Sequence, residues 1–375
     1  MYISFLINEI RSSKTVRQAG LFYYWGIKMN KFTRRTVIAA ACAAAAMTFA
    51  PMSFAQQAPE KKDVTIAVGG KSLYYYLPLS IAEQLGYFKD EGLNVKIVDF
   101  QGGSRSLQAV VGGSADVVSG AFEHTISMQA KKQPMTAFVL QGRAPQLALV
   151  VSNKTMKDYK QLSDLKGKKV GVTAPGSSSQ MVANFILKKG GLGPKDVAFI
   201  GVGSSSGAVS AIRSGQIDAL INLDPVITIL LKNGDAKLVA DTRKVKESES
   251  FFGGTMPAGC LYAPVSFVEK NPKTVQALTN AIVRADDWLA KATPEEVAKV
   301  VPASYLMGNR GIYLAGFEGN RDALSPDGRF PDGCAKISLG ALQTVNDKID
   351  PAKIDLTKVY TNKFVDEALK KYPAK

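Results

Sequence analysis

The sequence predicts an α/β protein of two similar lobes with a ligand cleft between them. Three observations carry that reading. Short β-branched runs alternate with helical patterns from Val64 onward, the signature of βαβ units and a mainly parallel sheet. One such unit recurs 102 residues later, Val95–Phe100 being matched by Val197–Val202. The length of 375 residues accommodates two domains of roughly 100–200 residues each.

The elements follow in order. Val64–Val68 reads as a strand, and Pro78 opens a helix running towards Leu85, where its missing N–H costs little. Val95–Phe100 is the next strand. Gly102-Gly103-Ser104 then leads into an amphipathic stretch through Val111, and Ala115–Val118 forms a third strand. In the repeat, Ser204-Ser205-Ser206 takes the place of Gly102-Gly103-Ser104, while Gly215, Asp218 and Asn222 take the places of Gly113, Asp116 and Gly120. Gly113 and Gly215 fit positions just past a helix, where glycine tolerates a left-handed backbone. Asp116 and Asp218 lead into strands and are read as structural. In the tail, Val275, Leu278, Ile282, Ala285 and Leu289 fall at helical spacing within 274–292. Thr293-Pro294-Glu295-Glu296 begins another helix, with Thr293 as cap. Ser325–Gly328 and Phe330–Gly333 are turns, and Phe364–Leu369 closes the chain as a helix.

Composition excludes several function classes. One histidine and three cysteines leave no His-rich zinc site and no zinc ribbon. Neither a Walker loop nor a complete dinucleotide fingerprint occurs. The expectation is no metal, no cofactor and no catalytic residue.

The first 55 residues read as an extension followed by an export signal over about 29–55. Lys31, Arg34 and Arg35 precede the apolar run Val37–Ala50, and Ser53-Phe54-Ala55 supplies small residues for cleavage. Thr33-Arg34-Arg35 also fits a twin-arginine signal, so either the general or the twin-arginine route is open. The formal charge of +15 includes seven basic residues and one acid in this segment; without them 40 basic residues face 31 acidic ones, or +9. The basic residues are scattered, with no aromatic-interleaved run, which argues against nucleic acid. In an oxidising compartment Cys260 and Cys334 could be bridged or stay buried thiols.

The Gly/Ser turns carry the ligand signal. Gln101-Gly102-Gly103-Ser104, Pro175-Gly176-Ser177-Ser178-Ser179 and Gly203-Ser204-Ser205-Ser206 each follow a strand and precede a helix. Backbone N–H groups can approach a ligand there, at a partly positive helix end. Open α/β sheets bind ligands at the carboxyl ends of their strands.

Residues 77–95, from Leu77-Pro78-Leu79-Ser80 through Gly86-Tyr87-Phe88-Lys89-Asp90-Glu91-Gly92-Leu93, resemble the opening motif of substrate-binding proteins of ABC importers. The likeness is to the branch of nitrate, sulfonate and taurine receptors and thiamine-pyrimidine-precursor binders. Leu162-Ser163-Asp164-Leu165-Lys166-Gly167-Lys168-Lys169-Val170 resembles the start of that family's second lobe, and Asp224-Pro225 fits its later pattern. The resemblance implies a type II periplasmic-binding fold: lobe 1 over 63–150, lobe 2 over 151–252, then 253–375 returning to lobe 1 with C-terminal helices. Closure would hinge between the two crossings, near Gly142-Arg143 and Gly253-Gly254.

Candidate contacts follow by position. Lobe 1 offers Lys71, Ser72, Tyr74, Tyr75, Gln101, Gly103, Ser104, Phe122, Glu123, His124 and Arg143. Lobe 2 offers Gly176, Ser177, Ser178, Gly203, Ser204, Ser205, Asn222 and Asp224. Lys71 and Arg143 either grip an anion, Arg in bidentate fashion, or are solvated surface charges. Tyr74–Tyr76 can form an aromatic wall, with one ring turned to the core. The expected function is a non-catalytic, monomeric periplasmic receptor that delivers a small, sulfonate- or carboxylate-like solute to a permease and its ATPase. The three tyrosines also suit a planar heterocycle. The alternatives are an enzyme of the thiamine-pyrimidine-synthase type and a sensory binding protein.

Overall fold

The computed structural model describes residues 58–373. The expected signal segment lies outside the described residues. Among the described residues, ten strands form two five-stranded sheets with the same strand plan. The first sheet contains β1 (Asp63–Val68), β2 (Asn94–Asp99), β3 (Val117–Ala121), β4 (Met135–Leu140) and β10 (Gly259–Pro264), in the order β2-β1-β3-β10-β4. The second contains β5 (Ala148–Ser152), β6 (Lys169–Val172), β7 (Ala198–Gly201), β8 (Ala219–Asn222) and β9 (Ala236–Asp241), in the order β7-β6-β8-β5-β9.

Each sheet runs four strands in one direction and one, β10 or β5, against them, and that strand enters after a crossing between lobes. The two crossings lie side by side: the Ala258 amide donates to the Gly142 carbonyl at 2.8 Å and the Gly142 amide to the Gly259 carbonyl at 3.0 Å. Backbone pairing there satisfies polar groups that would otherwise be stranded in a covered joint.

The repeated Asp explains the repeated register. Asp116 accepts from the Thr65 amide of β1 at 2.9 Å. Asp218 accepts from the Lys169 amide of β6 at 3.0 Å. Each carboxylate thus ties the loop entering the third strand to the start of the first. Gly113 and Gly215 hold φ values of 78° and 82°, the left-handed backbone expected after a helix.

The principal helices are α1 (Leu77–Gln84), α2 (Gly103–Val111), α3 (Glu123–Ala130), α4 (Ser178–Lys189), α5 (Ser206–Ser214), α6 (Val226–Lys232), α7 (Pro272–Lys291), α8 (Arg310–Asn320), α9 (Cys334–Val345) and α10 (Lys363–Lys371). Thr293 caps the helix Pro294–Val300 by accepting from the Glu296 amide. The apolar stripe of α7, including Val275, Leu278, Ile282 and Leu289, is buried. That helix packs on α1, β4 and α10, so it belongs to the first sheet's core.

The C-terminal region does more than return to the first lobe. α8 packs on α6 of the second lobe, while α9 packs on both α4 and α3. The last hundred residues therefore touch both lobes. Cys260 and Cys334 are free and buried.

Candidate functional site

The carboxyl ends of β1, β3, β6 and β8 converge on the seam between the lobes. A cavity of about 20 Å³ lies there. Lobe 1 lines it with Gly69, Tyr75, Tyr76, Gly103, Ala121 and His124. Leu147 enters from the first crossing, and lobe 2 adds Thr173, Ser177, Ser178, Ser179 and Leu223. A wider groove of about 440 Å³ adjoins it and shares His124, Ser177 and Ser178 with it.

Glycine permits the close approach of the lobes. Gly102 has φ of 119°, and a Cβ there would stand 2.8 Å from the Ala174 Cβ across the seam. A Cβ at Gly70, φ 108°, would overlap the Ser204 hydroxyl. Any other residue at either position is both strained and obstructed.

Glu123 and His124 open α3 immediately after β3 and are almost fully buried. His124 Nδ1 lies 2.9 Å from the Tyr262 hydroxyl. Burial holds the Tyr262 phenol far above its ordinary range, so it stays protonated and can donate to Nδ1. The other ring nitrogen, Nε2, has no hydrogen-bond partner among the described residues. Burial also lowers the His124 pKa, opposed by the neighbouring Glu123, which favours the neutral ring. Glu123 Oε1 and Tyr75 Oη are likewise buried without partners among the described residues. The Tyr75 phenol is pushed well above its usual range by burial and then by Glu123. One lobe thus presents an imidazole nitrogen, a carboxylate oxygen and a phenol. Serine and threonine hydroxyls face them from the other.

The structure brings together Tyr75, Gly103, His124, Ser177 and Ser178 from the sequence candidates in the cavity, with Glu123 and Gly176 in the groove. Ser104 joins them as a seam residue, since its amide and hydroxyl bond to Ser177 and Pro175 of lobe 2.

Other candidates line neither space. The Lys71 ammonium pairs with Glu83 at 2.6 Å, and Ser72 lies half-buried beside it. Arg143 donates to the Asp322 carbonyl at 2.8 Å, on another face. Neither expected cation reaches the cavity, because each has a nearer acceptor. Tyr74 is the ring turned to the core: its hydroxyl donates to the Tyr313 carbonyl, and its ring meets Tyr313 and Phe317 edge-on. Phe122 is buried against Phe330 and Tyr360. Gln101 is exposed in its turn. Asn222 is consumed by the Gly203 carbonyl and the Leu223 amide. Asp224 is held by Arg243, Asn320 and the Thr228 amide. Gly203 and Ser205 stay outside the cavity, and Ser204 packs against Gly70.

Sequence reasoning missed Thr173 and Leu147, and the whole contribution of α9. Thr173 lies two residues before a turn already singled out, and Ser179 is the last residue of that turn. Their pairing, 2.9 Å between hydroxyls, is a visible extension of the same motif. Nothing local marks α9 as a groove wall.

The model of a known family, described as NMT1/THI5 like, matches residues 74–297, well over half the chain. The chain belongs to the NMT1/THI5-like family. A solved protein of Bordetella bronchiseptica RB50 is 57% identical to this family member, covering 84% of this chain and all of that one, with a TM-score of 0.84. The alkanesulfonate-binding protein SsuA from Xanthomonas axonopodis pv. citri, bound to MOPS, is 18% identical, covers 81% of this chain and 99% of that one, and superposes with a TM-score of 0.61. At that identity the likeness shows the fold alone, and it is the periplasmic-binding fold that the sequence predicted. A 4-amino-5-hydroxymethyl-2-methylpyrimidine phosphate synthase of Aspergillus parasiticus is 26% identical over 268 residues, 68% of this NMT1/THI5-like chain and 75% of that protein.

Proposed function

We propose that this protein is an exported, non-catalytic solute receptor of an ABC importer, which holds a small molecule between its lobes and hands it unchanged to a permease. The observation that carries this reading is the convergence of Tyr75 Oη, Glu123 Oε1 and His124 Nε2 at the seam, all buried and without protein partners among the described residues. Each such group costs about 1–3 kcal/mol to leave unpaired. A solute that pairs with them offsets that cost, and it does so only where the lobes meet.

The same atoms bear on ligand chemistry. A positively charged chain raises the expectation of an anion, yet Lys71 and Arg143 are engaged elsewhere. The acidic side chain that lines the groove at the seam is Glu123. An oxyanion placed there would set acceptor atoms against Glu123 Oε1, a buried oxygen without a partner among the described residues, and would leave it unpaired. The ligand that fits carries N–H donors, as an amine, amidine or amino-substituted heterocycle does.

The test is native mass spectrometry of the full chain purified without refolding, followed by calorimetric titration of the recovered solute. A nitrogenous solute released intact and rebound by the wild type, with binding lost in Glu123→Gln, supports the reading. Conversion of the solute on incubation would replace the receptor by an enzyme, as the synthase relative's name would then lead one to expect.

A further inference from the structure

Within the receptor reading, we infer that the solute is elongated, with an N–H-bearing head at Glu123 and His124 and an apolar body of several carbon atoms lying in the groove beneath α9. Volume is the first argument. The cavity of about 20 Å³ offers space for about one water molecule. The adjoining groove, about 440 Å³, falls in the range of sites that bury most of a small ligand. His124, Ser177 and Ser178 line both, so a head at the seam has the groove as its direct continuation.

Lining is the second argument. The inner end is polar, with Glu123 and His124 each carrying a buried atom without a partner. Away from that end Met128 from α3, Met181 from α4, Leu342 and Val345 from α9, and Ile349 beyond it give the wall an apolar stripe, bordered by the polar side chains of Ser127, Gln180, Asn184 and Asn346. Methionine side chains are unbranched and polarisable, so they adapt to an irregular apolar body. Lys131 and Lys348 also line the groove but are exposed; water screens them, and they set no polarity inside.

Attachment is the third argument. α9 is not a loose flap, because it packs on α3 of one lobe and α4 of the other. The Lys188 ammonium donates to the Thr344 carbonyl at 2.7 Å, fastening the end of α9 to α4. The C-terminal region therefore supplies a fixed specificity wall, and the length of the solute is read by α9.

The test uses matched probes on the full chain, followed by thermal shift and calorimetry: acetamidine, butanamidine and hexanamidine against methane-, butane- and hexanesulfonate. The expected result is binding of the amidines alone, tightening about three- to fourfold per added methylene, as burial of a CH₂ requires. Leu342→Ser should flatten that dependence on length, weakening hexanamidine more than acetamidine. Met181→Ser serves the same purpose should the first variant lack a cooperative melt. Amidine binding with no dependence on length overturns the groove assignment and leaves the receptor standing. Sulfonate binding without amidine binding overturns the head chemistry. Binding of neither series overturns the inference as a whole, whereas loss of every recovered solute in native mass spectrometry would overturn the receptor reading instead.

Discussion

The Ser104 amide, at the start of α2 in one lobe, donates to the Ser177 hydroxyl at 3.0 Å, just before α4 in the other. The two hydroxyls lie 3.1 Å apart, and Ser104 Oγ also donates to the Pro175 carbonyl at 2.8 Å. The Ser177 hydroxyl thus accepts an amide at the start of α2 from across the seam, a role that a capping side chain usually fills within one lobe. Ser177→Ala removes two of these bonds without touching either core. Net hydrogen bonds contribute about 1 kcal/mol each, so the joined state should lose ~1–2 kcal/mol relative to a parted one. Small-angle scattering should show a larger radius of gyration for the variant, with far-ultraviolet circular dichroism unchanged. An unchanged radius would mean that the seam is held elsewhere.

Gly102→Ala tests the same seam by steric means. Its added Cβ meets Ala174 at 2.8 Å on a backbone at φ 119° that L-residues avoid. Each lobe should fold, while the lobes stay apart and solute affinity falls more than tenfold. Wild-type affinity in calorimetry would show that the lobes can meet by another path.

His124 gives the protein a defined acid response. Its pKa is lowered in the fold by burial, so the unfolded chain binds this proton more readily. The stabilising contribution is fully present above the ordinary histidine value of about 6.5 and is lost as pH falls from there through the depressed folded value. His124→Gln should flatten the melting temperature over that interval and leave the alkaline side alone. A variant curve parallel to wild type would remove His124 from the acid response.

Asp286 acts with the opposite sign. It is wholly buried on α7, both its oxygens lack partners among the described residues, and burial raises its pKa far above the usual carboxyl range. At low pH folded and unfolded states both carry the proton. As pH rises past about 4 the unfolded chain releases it first, and stability falls until the raised folded value is passed. Asp286→Asn should therefore melt higher than wild type at neutral pH and lose that part of the decline. A variant that melts lower at neutral pH would show that the acid itself is needed.

Much of this was legible in the chain, for reasons that are local. The strand, Gly/Ser turn, helix and Gly-x-x-Asp unit is read twice, and Asp116 and Asp218 do the same register work twice. Tyr75, Gly103, His124, Ser177 and Ser178 could be chosen because strand ends and helix starts define where a seam must lie. The failures are matters of distance through space. Lys71 turns to Glu83, Arg143 to the carbonyl of Asp322, and α9 reaches the groove from more than two hundred residues downstream of α3. No pattern within a window of ten or twenty residues encodes those partners.

Asp224 shows the same limit and offers the last test. Its place after β8 made it a ligand candidate, yet the fold surrounds it. Oδ2 accepts from Arg243 Nη1 at 3.0 Å and from Asn320 Nδ2 at 2.6 Å, and Oδ1 accepts from the Thr228 amide at 2.7 Å. Its carbonyl accepts from the Tyr74 amide of the first lobe at 3.2 Å. One residue thus joins the second sheet, α6, α8 and the turn after β1. Removing one partner of a buried ion pair costs about 3–5 kcal/mol. Arg243 keeps Asp241 at 2.7 Å, so Asp224→Asn should cost less, ~2–3 kcal/mol by chemical denaturation. A ligand contact would give the reverse pattern, with near-wild-type stability and lost affinity. That outcome would return Asp224 to the binding site and remove it from the joint.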